Sequence, residues 1–138
     1  MQEGHMNSHK LGAMLTIIAL AAESARIMRG YEAHHLGKIE EEGRAEKAKV
    51  NSEIAGSLEN ALASFSSTLE FDPEAFRELC SITNKAARTF RTYESHHRAK
   101  DGPDRTERAD RNADIAERIE RTIGALSAWQ TLEDRQPK

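Results

Sequence analysis

The stretch Arg29-Gly30-Tyr31-Glu32-Ala33-His34-His35 returns almost unchanged as Arg91-Thr92-Tyr93-Glu94-Ser95-His96-His97, 62 residues further on. Extended upstream, the copies share the pattern A-R-x-x-R-x-Y-E-x-H-H, with seven identities in eleven aligned positions. A repeat of this quality across nearly half of a 138-residue chain constrains the fold. The chain is expected to be a duplicated unit, each half supplying the same elements.

Hydrophobic spacing gives those elements. From about Lys10 to Leu36 there is no proline, and Leu11, Met14, Ile18, Ala21, Ala25 and Met28 recur at helical spacing. Ile17, Leu20 and Ile27 lie off that stripe, so the helix is apolar on more than one face, which implies deep burial or a second subunit. Gly37-Lys38 marks its stop. A second helix starts between Glu40 and Arg44 and ends near Glu70, with Val50, Ile54, Leu58, Ala61, Leu62, Phe65 and Leu69 as its inner face. The run Glu40-Glu41-Glu42 suits the positive end of its dipole. Asp72-Pro73-Glu74 then combines an N-cap, a first-turn proline and a first-turn acid, and divides the repeats. The third helix reaches about Lys100, with Phe76, Leu79, Cys80, Thr83, Ala87 and Phe90 inward. Asp101-Gly102-Pro103-Asp104 is a turn. The fourth helix carries Ile115, Ile119, Ile123 and Leu126, with Trp129 near its end. The fold class implied is all-α, an antiparallel four-helix bundle built from two duplicated helical hairpins. It forms one domain over residues 10–132, with repeats at about 10–71 and 72–132. The flanks are a segment at 1–9, either a flexible N-terminus or, over Met1–His5, a remnant ahead of a native start at Met6, and a polar tail at 133–138, expected to fray.

A net charge of −3 gives no global attraction to nucleic acid or anionic membrane, so any anion affinity is local. The single cysteine, Cys80, forms no internal disulfide and sits in an apolar run as a small hydrophobe. A reducing, cytoplasmic setting follows. The apolar run Leu11–Ala22 resembles a short signal peptide, but it falls short of the roughly 20 residues that span a bilayer. It also has a counterpart in the second repeat.

Both motif copies close the first helix of their hairpin, so both are expected at one end of the bundle. Arg44, Glu46 and Lys47 of helix 2 and Arg105, Arg108 and Arg111 of helix 4 become their neighbours. Charges there enter positions that earlier turns fill with apolar side chains, which is costly unless Arg29 pairs with Glu32 and Arg91 with Glu94. One reading is a polar plug that knits the bundle end. The other, taken as the functional expectation, is a pocket for a phosphate-bearing ligand such as a nucleotide, a dinucleotide or a short nucleic acid. Arg26, Arg29, Arg88, Arg91, Arg108 and Arg111 supply forked donors in it, Tyr31 and Tyr93 stack or donate, and His34 and His96 stand at the rim. The expected protein is a non-enzymatic binder without a cofactor, assembled as a homodimer or larger through the broad apolar face of helix 1.

Two resemblances carry other chemistries. Glu32-x-x-His35 and Glu94-x-x-His97 resemble the Glu-x-x-His pairs of ferritin-like di-iron bundles. That resemblance implies metal ligation by Glu32, His35, Glu94 and His97, with Glu46 as a further carboxylate; helix 4 departs from it by offering Arg108, Arg111 and Asn112. Arg29-x4-His34 and Arg91-x4-His96 resemble the Arg-x4-His signature of HEPN-type ribonucleases. That resemblance implies a histidine acid or base and an arginine stabilising a pentavalent phosphate. Here each motif has one hairpin, where those domains have a whole bundle.

Overall fold

The described residues form four helices: α1 (Ser8–Leu36), α2 (Arg44–Ser66), α3 (Pro73–Arg98) and α4 (Pro103–Arg135). The structure is a computed structural model and describes residues 8–67 and 69–135. Of these 87% are helical, and none is in a strand. The pairs α1·α2 and α3·α4 pack closely as two hairpins, the all-α arrangement of a four-helix bundle. The expected remnant at Met1–His5 and the last residues of the tail lie outside the described residues.

Local chemistry sets the helix ends. Asp72 caps α3 as expected: its Oδ1 accepts from the Glu74 and Ala75 amides at 3.0 and 3.2 Å. Gly43, at φ 83°, stands immediately before α2 and confines the helix to residues beyond it. The run Glu40–Glu42 therefore belongs to the turn, not to the first helical turn where dipole chemistry would place it. α2 also stops earlier than its apolar pattern suggests. Ser67 Oγ donates to the Ser64 carbonyl at 2.8 Å, a local bond that competes with helix continuation. Phe65, Phe71 and Phe76 then gather with ring centroids 5.6–5.9 Å apart and join the end of α2 to the start of α3. At the other extreme α4 continues through Glu133–Arg135, past the expected start of the tail, because no glycine or proline intervenes before Pro137.

The chain divides into two compact units. One is the continuous run Leu20–Ala86, and the other joins the described residues up to Ala19 to those from Ala87 onward. Burial repeats with the same register as the sequence. Met14, Ile17, Ala21, Ser24, Ala25 and Met28 of α1 are buried, and so are Phe76, Leu79, Thr83, Ala86, Ala87 and Phe90, each 62 positions later. On the partner helices Ala48, Asn51, Ala55 and Leu58 are buried, as are Ala109, Asn112, Ala116 and Ile119, each 61 positions later.

This register corrects the expected faces. Ile17 and Leu20, assigned off the stripe, are core residues at 0% and 3% exposure, whereas Leu11 is exposed. Ile18 and Ile27 are half-buried. On α2 the inner face turns toward Ala48, Asn51 and Ala55. Val50 points to solvent, and Leu69 lies beyond the helix, exposed. The face was misplaced because large apolar residues were weighted over alanine, and α2 packs through its small side chains.

Ser24 is buried with no hydrogen-bond partner for its hydroxyl, and Ala86 stands in its place in the second hairpin. Ser24→Ala is expected to raise stability by about 1 kcal/mol, because it removes a buried hydroxyl left unsatisfied. Phe90→Ala, at a fully buried position, should lower it by about 3–5 kcal/mol. Urea denaturation of both variants checks the pair.

Candidate functional site

The repeated stretch builds the same clamp twice. On α1, Arg29 Nη1 donates to Glu32 Oε1 at 2.9 Å and to Ser52 Oγ of α2 at 3.0 Å. Its Nε and Nη2 reach α2 as a fork onto Glu59, at 3.1 and 2.7 Å. In the second hairpin Arg91 Nη1 donates to Glu94 Oε1 at 2.9 Å, and its Nε and Nη2 fork onto Glu120 of α4 at 3.0 and 2.7 Å. The planar guanidinium matches a carboxylate in this two-bond geometry, and the bonds are charge-assisted. The donated bonds from Arg29 hold the Glu59 carboxyl below its ordinary range. Those from Arg91 do the same for Glu120, and Arg91 with Arg98 for Glu94. Both clamping arginines are pushed further into the charged form, first by the forked glutamate and then by the one on their own helix. The arginines keep about two-fifths of their side-chain surface in solvent, so salt screens the attraction.

A strap closes the tip of each hairpin. Arg44 Nη1 lies 2.9 Å from His35 Nδ1, and Arg105 Nη1 lies 2.9 Å from His97 Nδ1. A guanidinium can only donate, so Nδ1 is the acceptor and the imidazole is neutral. Burial lowers the His35 pKa from its ordinary value, and the charges of Arg44, His34, Lys47 and Lys38 lower it further. His97 is lowered by burial and then by Arg105, His96 and Arg108. In the first hairpin Arg44 also pairs with Glu41, at 3.0 Å.

The remaining expected site residues take other places. His34 and His96 are exposed and stand edge-on to the next histidine, with centroids 5.4 and 5.5 Å apart. Tyr31 and Tyr93 are half-buried. Arg26, Arg88 and Arg108 are exposed, and among the described residues none of them forms an ion pair. Arg111 is exposed and pairs with Glu107 one turn back on α4. One copy of the motif belongs to the unit Leu20–Ala86 and the other to the second unit, and each makes its clamp and strap within its own hairpin.

Sequence reasoning missed Ser52, Glu59 and Glu120, although a signal for the two glutamates exists. Arg44, Glu46, Ala48, Asn51, Ile54, Ala55 and Glu59 recur as Arg105, Glu107, Ala109, Asn112, Ile115, Ala116 and Glu120, at a spacing of 61 rather than 62. The connection between His97 and Arg105 is one residue shorter than that between His35 and Arg44, so an alignment at a single offset loses the partner helices.

The Glu-x-x-His pairs do not fit a metal centre. Glu94 gives one oxygen to Arg91 and the other to Arg98, while His35 and His97 turn Nδ1 to an arginine. Guanidinium groups thus take both Glu94 oxygens, one oxygen of Glu32 and Nδ1 of each histidine, and bring positive charge where a cation would sit. Among the described residues no group of three or more histidines, cysteines or acids is placed to hold an ion. Cys80 is half-buried, and burial pushes its thiol up to about 11, away from thiolate chemistry. Comparison with protein-family models, with curated proteins and with solved structures gave no match to this chain.

The straps set a pH dependence. Unfolded imidazole titrates near about 6.5 and the folded rings below it, so the unfolded chain takes up protons first as pH falls. Stability from the straps is therefore whole above the unfolded value and is lost as pH drops through the folded one. Glu59, Glu94 and Glu120 act with the same sign in a more acidic window, below about 4.3. Urea midpoints measured across pH should decline in these two steps. The double variant His35→Gln/His97→Gln should flatten the first and leave the second.

Proposed function

We propose that this chain is a non-enzymatic binding protein, a duplicated helical scaffold whose repeated stretch holds each hairpin closed so that the outer helix faces can be presented to a partner. The observation that supports this most is the engagement of Arg29 and Arg91. Each forks onto a glutamate of the facing helix and spends a further donor on a glutamate one turn along its own. A guanidinium held by two carboxylates offers a phosphate little, because the ligand would have to displace a matched anion. The polar plug of the sequence argument thus becomes two plugs, one in each hairpin.

A phosphate-bearing ligand is the second reading, and it moves to other residues. Arg26 and Arg88 occupy equivalent places in the two repeats, are exposed, and form no ion pair among the described residues; Arg108 shares that state. With His34 and His96 they would present a nucleotide or a short nucleic acid with charge on open helix surface, in place of a pocket.

A cytoplasmic setting and a homodimer belong to the proposal as well. α1 is long and apolar enough, by length and composition alone, to cross a membrane, but its Met14, Ile17, Leu20 and Ala21 are buried by the chain itself. The large apolar α1 side chains left exposed for a second subunit are Leu11, Leu15 and Leu36, not Ile17 and Leu20.

Melting and calorimetry together test the two readings. Under the scaffold reading Arg29→Ala and Arg91→Ala lower the melting temperature, by less at high salt, and wild-type protein binds no nucleotide or oligonucleotide at low salt. Under the phosphate reading, wild type binds and Arg26→Ala/Arg88→Ala weakens binding by about ten-fold or more, the loss of charge-assisted contacts, with the melt unchanged. Arg29→Ala and Arg91→Ala melting like wild type would remove the scaffold reading.

A further inference from the structure

One difference between the two hairpins leaves a groove. In the second hairpin Arg98 donates from Nε to Glu94 Oε2 at 2.9 Å and from Nη2 to Asp110 Oδ1 of α4 at 3.1 Å. It thereby covers the flank of the clamp. At the matching positions of the first hairpin stand Leu36 and Lys49, which make no such bridge. A groove of about 290 Å³ opens there instead, lined in part by Glu32, Leu36, Ile39, Ala45, Lys49 and Glu53.

Its chemistry is that of a place from which an arginine has been taken away. Glu32 gives Oε1 to Arg29, and Oε2, the counterpart of the oxygen that holds Arg98, has no bond among the described residues. Glu53 likewise makes no ion pair among them, whereas its counterpart Asp114 is held by Arg118 at 3.1 Å. The exposed side chains of Leu36 and Ile39 line the same groove, fit to cover the aliphatic stem of a long cationic side chain. The opposing charge at the groove is Lys49, exposed on its rim.

We infer that the groove beside Glu32 at the tip of the first hairpin is a docking site for an arginine-bearing segment of a partner protein, whose guanidinium takes the place that Arg98 fills in the second hairpin. The inference rests on the reading of Arg29–Glu32–Glu59 as a structural clamp, which fixes the Glu32 carboxylate for a second cation. Charge complementarity and the filled counterpart in the same chain select the occupant. A guanidinium presents several donors in a planar fork and can serve two acceptors, as Arg98 does in the second hairpin, whereas an ammonium is a point charge.

The test uses the full-length protein and a capped pentapeptide with a central arginine between two leucines, followed by amide chemical shifts. Wild type should show saturable shifts confined to the groove. Glu32→Gln should weaken binding by about ten-fold, the loss of one charge-assisted contact. Lys49→Asp, which restores the acceptor present in the second hairpin, should strengthen it. Leu36→Arg keeps Glu32 and the clamp but supplies the guanidinium from within, so it should abolish peptide binding while melting no lower than wild type. Equal binding by wild type and Leu36→Arg, or shifts that map elsewhere, would overturn the inference. So would a dimer in sedimentation that Leu36→Arg dissolves, since the occupant would then be a second copy. No shift in wild type alongside the expected loss of melting temperature in Arg29→Ala sinks the groove alone. A normal melt in Arg29→Ala removes the clamp on which the groove depends.

Discussion

Alanine sets the terms on which this protein holds together. Among the described residues nine of the nineteen buried apolar ones are alanines, including Ala48 and Ala55 on α2 and Ala109 and Ala116 on α4. A methyl group removes little apolar surface from water, so each such contact yields a fraction of what a leucine would. What small side chains allow instead is close approach of one helix to the next. Only at short range can an arginine on one helix lay its fork on a glutamate of the other, as Arg29 does with Glu59 and Arg91 with Glu120. The polar cross-links are therefore a product of the lean core and a supplement to it. Their exposure makes each modest, and their repetition gives both hairpins the same geometry.

The elements were legible in the sequence because their boundaries rest on local chemistry. Asp72-Pro73 favours the start of a helix, and the turn at residue 102, with φ 127°, needs the freedom that a glycine provides. The inner face of α3 was legible too, since Phe76, Leu79, Thr83, Ala87 and Phe90 are spaced as one stripe and all are buried. α1 and α2 were harder. An apolar surface wider than one stripe does not say which part of it meets a neighbour, and an alanine face carries almost no hydrophobic contrast.

At the candidate site, the pairs Arg29–Glu32 and Arg91–Glu94 followed from i,i+3 spacing on one helix, and both are present. Their second carboxylates did not follow. Glu59 lies 30 residues from Arg29 and Glu120 lies 29 from Arg91, and nothing local distinguishes either glutamate from its exposed neighbours. The change from a 62- to a 61-residue offset across a shorter connection hid the one long-range signal. The same pairing changes what the motif means. An arginine read alone is an anion site, whereas an arginine read with its facing glutamate is a fastener.

The division into units also bears on how the chain comes off the ribosome. Leu20–Ala86 is continuous, so the contacts within it can form once its own residues have emerged. The opening turns of α1 belong instead with the residues from Ala87 onward. Synthesis at about 5–20 residues per second separates the two ends by on the order of ten seconds. Throughout that interval the apolar side chains of Met14 and Ile17, buried in the folded chain, lack the part of their unit that begins at Ala87. The opening turns of α1 and the residues from Ala87 onward are far apart in sequence, so the contacts that join them in one unit are among the slowest to form.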